Sequence, residues 1–259
     1  MKVVILCGGF GTRIRDVSQD LPKPMVPIGG RPILWHVMKY YAAHGFNEFV
    51  LCLGYRGDAI KDYFLNYQAH TSDFTLSLDG SAVEYHRGHD EHDWKITFAE
   101  TGLNTMTGGR VARVARYVDG DTFMLTYGDG VGDVDLAALL AFHRAHGKAM
   151  TVTGVRPPGR FGEVDASDDG LIAGFNEKPQ TTGGWISGGF FVCDRRVFDY
   201  LDPREDLVLE REPMRNLVAD GELMLYRHQD FWQCMDTYRD YKLLDGLIEQ
   251  GKAPWISWR

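Results

Sequence analysis

The residues best suited to chemistry come early in the chain. Gly8-Gly9-Phe10-Gly11-Thr12-Arg13 follows the aliphatic run Val3-Val4-Ile5-Leu6 and is itself followed by Pro22-Lys23-Pro24. A glycine-rich loop leaving a buried strand presents backbone N–H groups to which phosphate oxygens bind. This loop lacks the closing Gly-Lys-Ser/Thr of a P-loop, and Ile14 stands where a dinucleotide fingerprint has its third glycine. Two cations set it apart: the planar fork of Arg13 suits bridging phosphate oxygens, and Lys23 adds a compact point charge. A tight turn with solvated cations is the plain alternative; the combination of loop, Arg13 and Lys23-Pro24 favours phosphate.

Asp129 is a second candidate. It lies between Gly128 and Gly130 at the end of the apolar run Thr122–Thr126, where open α/β sheets bind their ligands. The flanking glycines leave room for a hard cation such as Mg²⁺, held by one or two carboxylates plus water and phosphate; a simple turn aspartate is the alternative. The third group is Thr105, Thr107, Gly108, Gly109 and Arg110, a Thr-Gly-Gly turn entering a helix. Arginine in a first helical turn opposes the helix dipole, so Arg110 is expected to have an anionic or ligand partner; a solvated first-turn residue is the plain alternative. His86, His89 and His92 lie among acidic residues, but the segment reads as a solvated surface loop.

These residues need a frame. Strand-like runs at 2–7, 48–55, 122–126 and 150–155 alternate with helical patterns at 31–44, 58–67 and 135–146. That rhythm predicts a doubly wound α/β fold with a mostly parallel sheet. Residues 74–98 read as short antiparallel strands. After residue 155 strand and turn signals predominate, so the C-terminal half is expected to be mixed. The chain reads as one domain, with halves at residues 1–155 and 156–245 and a tail at 246–259. Trp255 and Trp258 in that tail call for docking on the domain or on a neighbouring subunit.

Composition narrows the class. Among 259 residues, 28 Lys+Arg stand against 36 Asp+Glu, a formal charge of -8, which argues against nucleic acid or an anionic membrane as partner. No apolar stretch is long enough for a membrane span or a signal peptide. Cys7, Cys52, Cys193 and Cys234 show no C-x-x-C spacing, so reduced thiols in a cytoplasmic protein are expected.

In combination, these motifs resemble the sugar-1-phosphate nucleotidylyltransferases, and their cytidylyl branch in particular. The resemblance is carried by Gly8–Arg13, Pro22-Lys23-Pro24-Met25, Ile33-Leu34-Trp35-His36, Met106–Arg110, Thr126–Gly130, Pro157–Gly162, Glu177-Lys178-Pro179 and Phe231–Thr237. It extends over essentially the whole chain. It implies in-line attack of glucose 1-phosphate on the α-phosphorus of CTP, giving CDP-glucose and pyrophosphate. It assigns Arg13 to the leaving pyrophosphate and Lys23 to the α-phosphate, as the catalytic pair. It places Leu6, Cys7, Gly8, Gly9, Gly11, Thr12, Thr105, Gly109, Arg110 and Gly128 at the nucleotide. Glu177, Lys178, Ser187, Gly188 and Gly189 fall at the hexose 1-phosphate, and Asp129 and Asp236 at a shared Mg²⁺. An N-cap of the last helix is the plain alternative for Asp236. Ser187 departs from the Asn usual in the family, which bears on the identity of the sugar. Trp185 beside it reads as a core side chain. The resemblance also implies a homo-oligomer. A thymidylyl- or uridylyltransferase on a related hexose 1-phosphate, or a catalytically silent nucleotide-sugar sensor, are the alternative readings.

Overall fold

The computed structural model describes residues 1–10, 21–156, 163–166, 172–176 and 184–258. The first strand, β1 (Lys2–Leu6), is buried on both faces: Val3 and Ile5 enter one core cluster, Val4 and Leu6 the other. Alternation with period two over a run of aliphatic residues is what a central strand between two helical layers requires. The chain continues through α1 (Ile33–Ala43), β2 (Glu48–Leu53), α2 (Gly57–Leu65) and the short α3 (Tyr67–Thr71). A hairpin, β3 (Phe74–Leu76) and β4 (Val83–Tyr85), leads to β5 (Lys95–Glu100). Then come α4 (Thr107–Arg113), β6 (Thr122–Tyr127), β7 (Gly130–Gly132), α5 (Leu136–His146) and β8 (Met150–Val155). The remainder is β9 (Glu163–Ala166), β10 (Ile172–Asn176), β11 (Ile186–Asp194), α6 (Glu212–Ala219), β12 (Leu223–Arg227), β13 (Trp232–Cys234) and α7 (Tyr238–Glu249).

The central sheet has seven strands in the order β12-β8-β11-β6-β1-β2-β5. β1 pairs in parallel with β2 and β6, β2 with β5, and β8 with β12. Only β11 runs antiparallel to its neighbours β8 and β6. The sheet is therefore mostly parallel, as the strand–helix rhythm predicts. Residues 74–98 differ from expectation: only β3 and β4 form an antiparallel hairpin, whereas β5 becomes the parallel edge strand of the main sheet. Its lone polar-apolar alternation matches an edge strand as well as a hairpin strand, and only the partner β2 decides.

Local signals set several boundaries. Asp135 caps α5 by accepting from the Ala138 N–H, and Gly147 ends it at φ 65°. Thr237 and Asp240 form a capping box that starts α7. The 86–93 loop is not merely solvated. Glu91 is buried, accepts from Lys39 Nζ at 2.6 Å and from the Tyr67 hydroxyl at 3.0 Å, and so ties the loop to α1. His86 and His92 are exposed, while His89 packs edge-on against Tyr67. Trp255 is fully buried within its own chain, against Phe231 and His36, and Trp258 packs on Trp35. All four cysteines are free thiols. Among the described residues no helix is long and apolar enough to cross a membrane.

Candidate active site

The chain leaves β1 toward β2 and β5 on one side, and later inserts β6 on the other side of β1. The loops after β1 and β6 thus part at a switch point, where an open parallel sheet leaves a crevice. A cleft of about 260 Å³ opens there, with Leu6, Gly8, Gly9, Thr105, Tyr127 and Asp129 among its walls. Leu6 and Tyr127 are register partners at the ends of their strands, and Gly128 donates its N–H to the Leu6 carbonyl at 3.0 Å. Gly9 is exposed with open space around its Cα, whereas Cys7 turns its thiol into the core. Burial holds that thiol well above its usual pKa, so it is no nucleophile.

One corner of the cleft gathers charge. Lys23 lies in a single 3₁₀ turn, Lys23–Met25, between two prolines. Its ammonium sits 2.6 Å from Asp129 Oδ2 and also donates to Asp236 Oδ1. Burial alone would lower its pKa, but the two carboxylates outweigh burial and raise it. Asp236 arrives through β13, which pairs antiparallel with β7; the Met235 N–H donates to the Asp129 carbonyl at 2.8 Å. Asp236 is not the N-cap of α7, since Thr237 takes that place. The Asp240 carboxylate accepts from the N–H groups of both Asp236 and Thr237, fixing the backbone that carries Asp236. Asp240 has a positional role that the Thr-x-x-Asp spacing of a capping box signals.

Two carboxylates 107 residues apart in sequence thus converge on one cation. Their oxygens are the hard donors Mg²⁺ prefers, and among the described residues no third His, Cys, Asp or Glu joins them. A Mg²⁺ held there would complete its shell with water and substrate phosphate, as this ion usually does. The residues present fit the ion. Cys234 lies beside Asp236, and burial with the neighbouring Asp236 and Asp129 pushes its thiol up to about 12.

On the nucleotide side, the structure sets aside the solvated alternative for Arg110. Arg110 is buried, not exposed. Its guanidinium donates to the carbonyls of Gly8, Leu53, Gly102 and Leu103 and to Thr101 Oγ1, at 2.8–3.2 Å. Its partners are backbone dipoles, and helix-dipole reasoning missed them because they come from three other segments. A Cβ on Gly8 would fall 2.2 Å from Arg110 Cζ, and one on Gly54 2.6 Å from its Nη1. Those glycines make room for the guanidinium. Thr105 is buried at the cleft wall and accepts from Arg113 Nη1 at 2.8 Å. Gly109 packs on the 202–211 segment, where a Cβ would meet the Arg204 carbonyl at 2.3 Å.

On the sugar side, Ser187 is exposed while Gly188 and Gly189 are buried on β11. Trp232 Nε1 donates to the Gly188 carbonyl at 2.6 Å. Trp185 is not a core side chain: it is half-buried, with the Arg156 guanidinium 4.5 Å above its ring and Arg227 at 6.0 Å. Gly11, Thr12, Arg13, Glu177 and Lys178 lie outside the described residues.

The sequence model of the family described as "Nucleotidyl transferase" matches residues 2–242. The chain belongs to that family. This transferase is 49% identical over 259 residues to the glucose-1-phosphate cytidylyltransferase of Salmonella typhi, covering all of both chains. It is 31% identical over 261 residues to the mannose-1-phosphate guanylyltransferase of Mycobacterium tuberculosis, covering 98% of this chain and 66% of that one. Among solved structures it resembles HddC from Yersinia pseudotuberculosis with a TM-score of 0.69 at 23% identity, over 95% of this chain and 99% of that one. That last likeness concerns the fold alone.

Proposed function

We propose that the enzyme transfers a cytidylyl group from CTP to α-D-glucose 1-phosphate. A sugar phosphate oxygen forms a bond to the α-phosphorus, the bond to the β-phosphate oxygen breaks in line, and pyrophosphate leaves. The supporting observation is the convergence of Lys23, Asp129 and Asp236 on one corner of the switch-point cleft. Full-length similarity to a cytidylyltransferase supports the choice of base.

Both reactants are anions, so neutralising charge and aligning the phosphates matter more than a covalent nucleophile. Asp129 and Asp236 would hold Mg²⁺, which supplies positive charge to the triphosphate when bound. Lys23, freed from the carboxylates it now bridges, is within the same corner to bind an α-phosphate oxygen. Gly8 and Gly9 let the triphosphate approach the backbone, and Thr105 walls the base and ribose end. Arg13 is assigned to the departing pyrophosphate, and Glu177 with Lys178 to the hexose 1-phosphate beside Ser187, Gly188 and Gly189. We place the enzyme in the cytoplasm as a homo-oligomer. The exposed apolar side chains of the β3–β4 hairpin, with Leu78 93% exposed, support self-association.

The test is a matrix of CTP, UTP, dTTP and GTP against several hexose 1-phosphates with Mg²⁺, read as pyrophosphate release. Release with CTP and glucose 1-phosphate is the expected result. Activity confined to dTTP or UTP would overturn the choice of base, and no release with any pair would favour a silent nucleotide-sugar sensor.

A further inference from the structure

Tyr127 and Glu210 belong to neither set of substrate residues assigned above, yet they connect the two. Tyr127 ends β6, two residues before Asp129. Its ring lies over the Cα of Gly189, where a Cβ would fall 2.4 Å from Tyr127 Cδ2, and Gly189 takes the left-handed φ of +76°. Gly189 lies at a register shift in the pairing of β11 with β8, just before pairing with β6 begins. Phe191 pairs with Val152 of β8 and Ser187 with Gly154 across that shift, while the pairing with β6 starts at Phe190 and Thr126. The Tyr127 ring fills the step this leaves, edge-on to Phe191 at 5.9 Å.

The phenol donates its O–H to one carboxylate oxygen of Glu210, and the other oxygen accepts from Thr107 Oγ1 at 2.7 Å. Thr107 in turn accepts from the Leu209 N–H at 2.9 Å, which locks the segment carrying Glu210 to the first turn of α4. A carboxylate can accept from both hydroxyls at once; an amide offers one acceptor oxygen and alanine none. The path therefore runs from the nucleotide wall at Thr107, through Glu210 and Tyr127, to the Gly188–Gly189 segment of β11.

We propose that Glu210 is a positioning residue for the acceptor: by holding the Tyr127 phenol, it sets the gap between the nucleotide cleft and the Gly188–Gly189 segment of β11, and with it which hexose 1-phosphate fits. The proposal rests on the transfer reaction put forward above. Because the Tyr127 ring abuts Gly189, the consequence falls on the sugar side.

Steady-state kinetics on the full chain test this, with each substrate varied in turn for Glu210→Ala, Glu210→Gln, Tyr127→Phe and the double variant. Glu210→Ala is expected to raise KM for the hexose 1-phosphate about tenfold and leave KM for CTP within about twofold, a split that a general loss of fold would not produce. Discrimination between glucose 1-phosphate and its C2 and C4 epimers should narrow. Tyr127→Phe should act in the same direction, and the double variant should be no worse than Glu210→Ala, since both changes break one link. Glu210→Gln, which keeps volume and one acceptor, should fall between; it carries the test if the alanine variant does not fold. Equal rises in both KM values, an unchanged sugar KM, or multiplying effects in the double variant would overturn the proposal. The wild-type chain assayed alongside separates the two ideas. If it uses a different pair of substrates, the reaction put forward above fails, and the Glu210 comparison is read with that pair.

Discussion

Two cations stand by the same cleft, Arg110 buried in its wall and Lys23 half-buried beside Asp129, and their surroundings differ in kind. Lys23 is balanced by formal charges, the carboxylates of Asp129 and Asp236. Arg110 is balanced by dipoles, four carbonyls and one hydroxyl drawn from the loop after β1, the end of β2 and residues 101–103, and among the described residues by no acidic side chain. An ammonium between two carboxylates can be exchanged for a metal ion and a phosphate without leaving anything buried and unpaired. A guanidinium holding four carbonyls cannot leave without stranding them. The first arrangement suits a group that acts on substrates; the second suits one that shapes the cleft. Lysine and arginine are distributed accordingly, a compact movable charge in one place and a rigid fork in the other.

The most damaging way to probe this contrast is at the carboxylates. Asp129→Asn and Asp236→Asn should each lower Mg²⁺-dependent kcat by on the order of a thousandfold, about 4 kcal/mol of lost electrostatic stabilisation. The double variant should lose little more, because both side chains serve one point. The check is kcat against Mg²⁺ concentration; an Asp236→Asn enzyme with normal Mg²⁺ dependence would remove Asp236 from the site.

Arg110→Met keeps much of the volume but strands the carbonyls, and should cost about 3 kcal/mol or more of folding stability, read from urea unfolding. Arg110→Lys should recover only part of that, since one ammonium cannot span the same acceptors. Full stability in Arg110→Lys together with lost CTP affinity would instead make Arg110 a ligand-binding residue and erase the contrast.

His36 offers a third solution to burying a base, which is to give up the proton. It is 3% exposed, its Nε2 lies 2.9 Å from the Ile28 carbonyl, and Trp255 Nε1 approaches its Nδ1. Burial lowers its pKa from 6.5 to about 4. The folded value lies below the unfolded one, so the unfolded chain binds the proton first as the pH falls. Stability present above pH 6.5 is lost progressively toward pH 4, on the order of 3 kcal/mol from this group. His36→Gln should flatten that part of the stability–pH curve; an unchanged curve would show that other groups carry it.

Lys23→Ala closes the series. Losing one charge-assisted contact should lower kcat/KM at least about tenfold, some 1.5–3 kcal/mol, with little change in Tm. A large drop in Tm would place Lys23 with Arg110 as an architectural cation.

Much of this was legible before any coordinates. The aliphatic run of β1 and the 135–146 span of α5 follow from local pattern, because capping and side-chain alternation act over a few residues. The Gly-rich loop and Tyr-Gly-Asp-Gly marked the cleft for the same reason. What lay beyond reach was which distant residues meet. Arg110 looked like a residue with an anionic partner, Trp185 like core, residues 95–100 like one more hairpin strand, and Glu210 like nothing in particular.

By itself, then, the sequence determined the element types, the glycine-lined corners and the chemical inventory of the cleft, since those depend on propensities and spacing along the chain. Tertiary structure alone decided that Asp236 reaches Asp129 across the β13–β7 pairing, that Arg110 is held by backbone carbonyls, and that Glu210 bridges Thr107 and Tyr127. Each of those outcomes turns on strand order and close approach between segments about 20 to more than 100 residues apart. No local pattern encodes such contacts, because the burial of shared apolar faces sets which segments become neighbours.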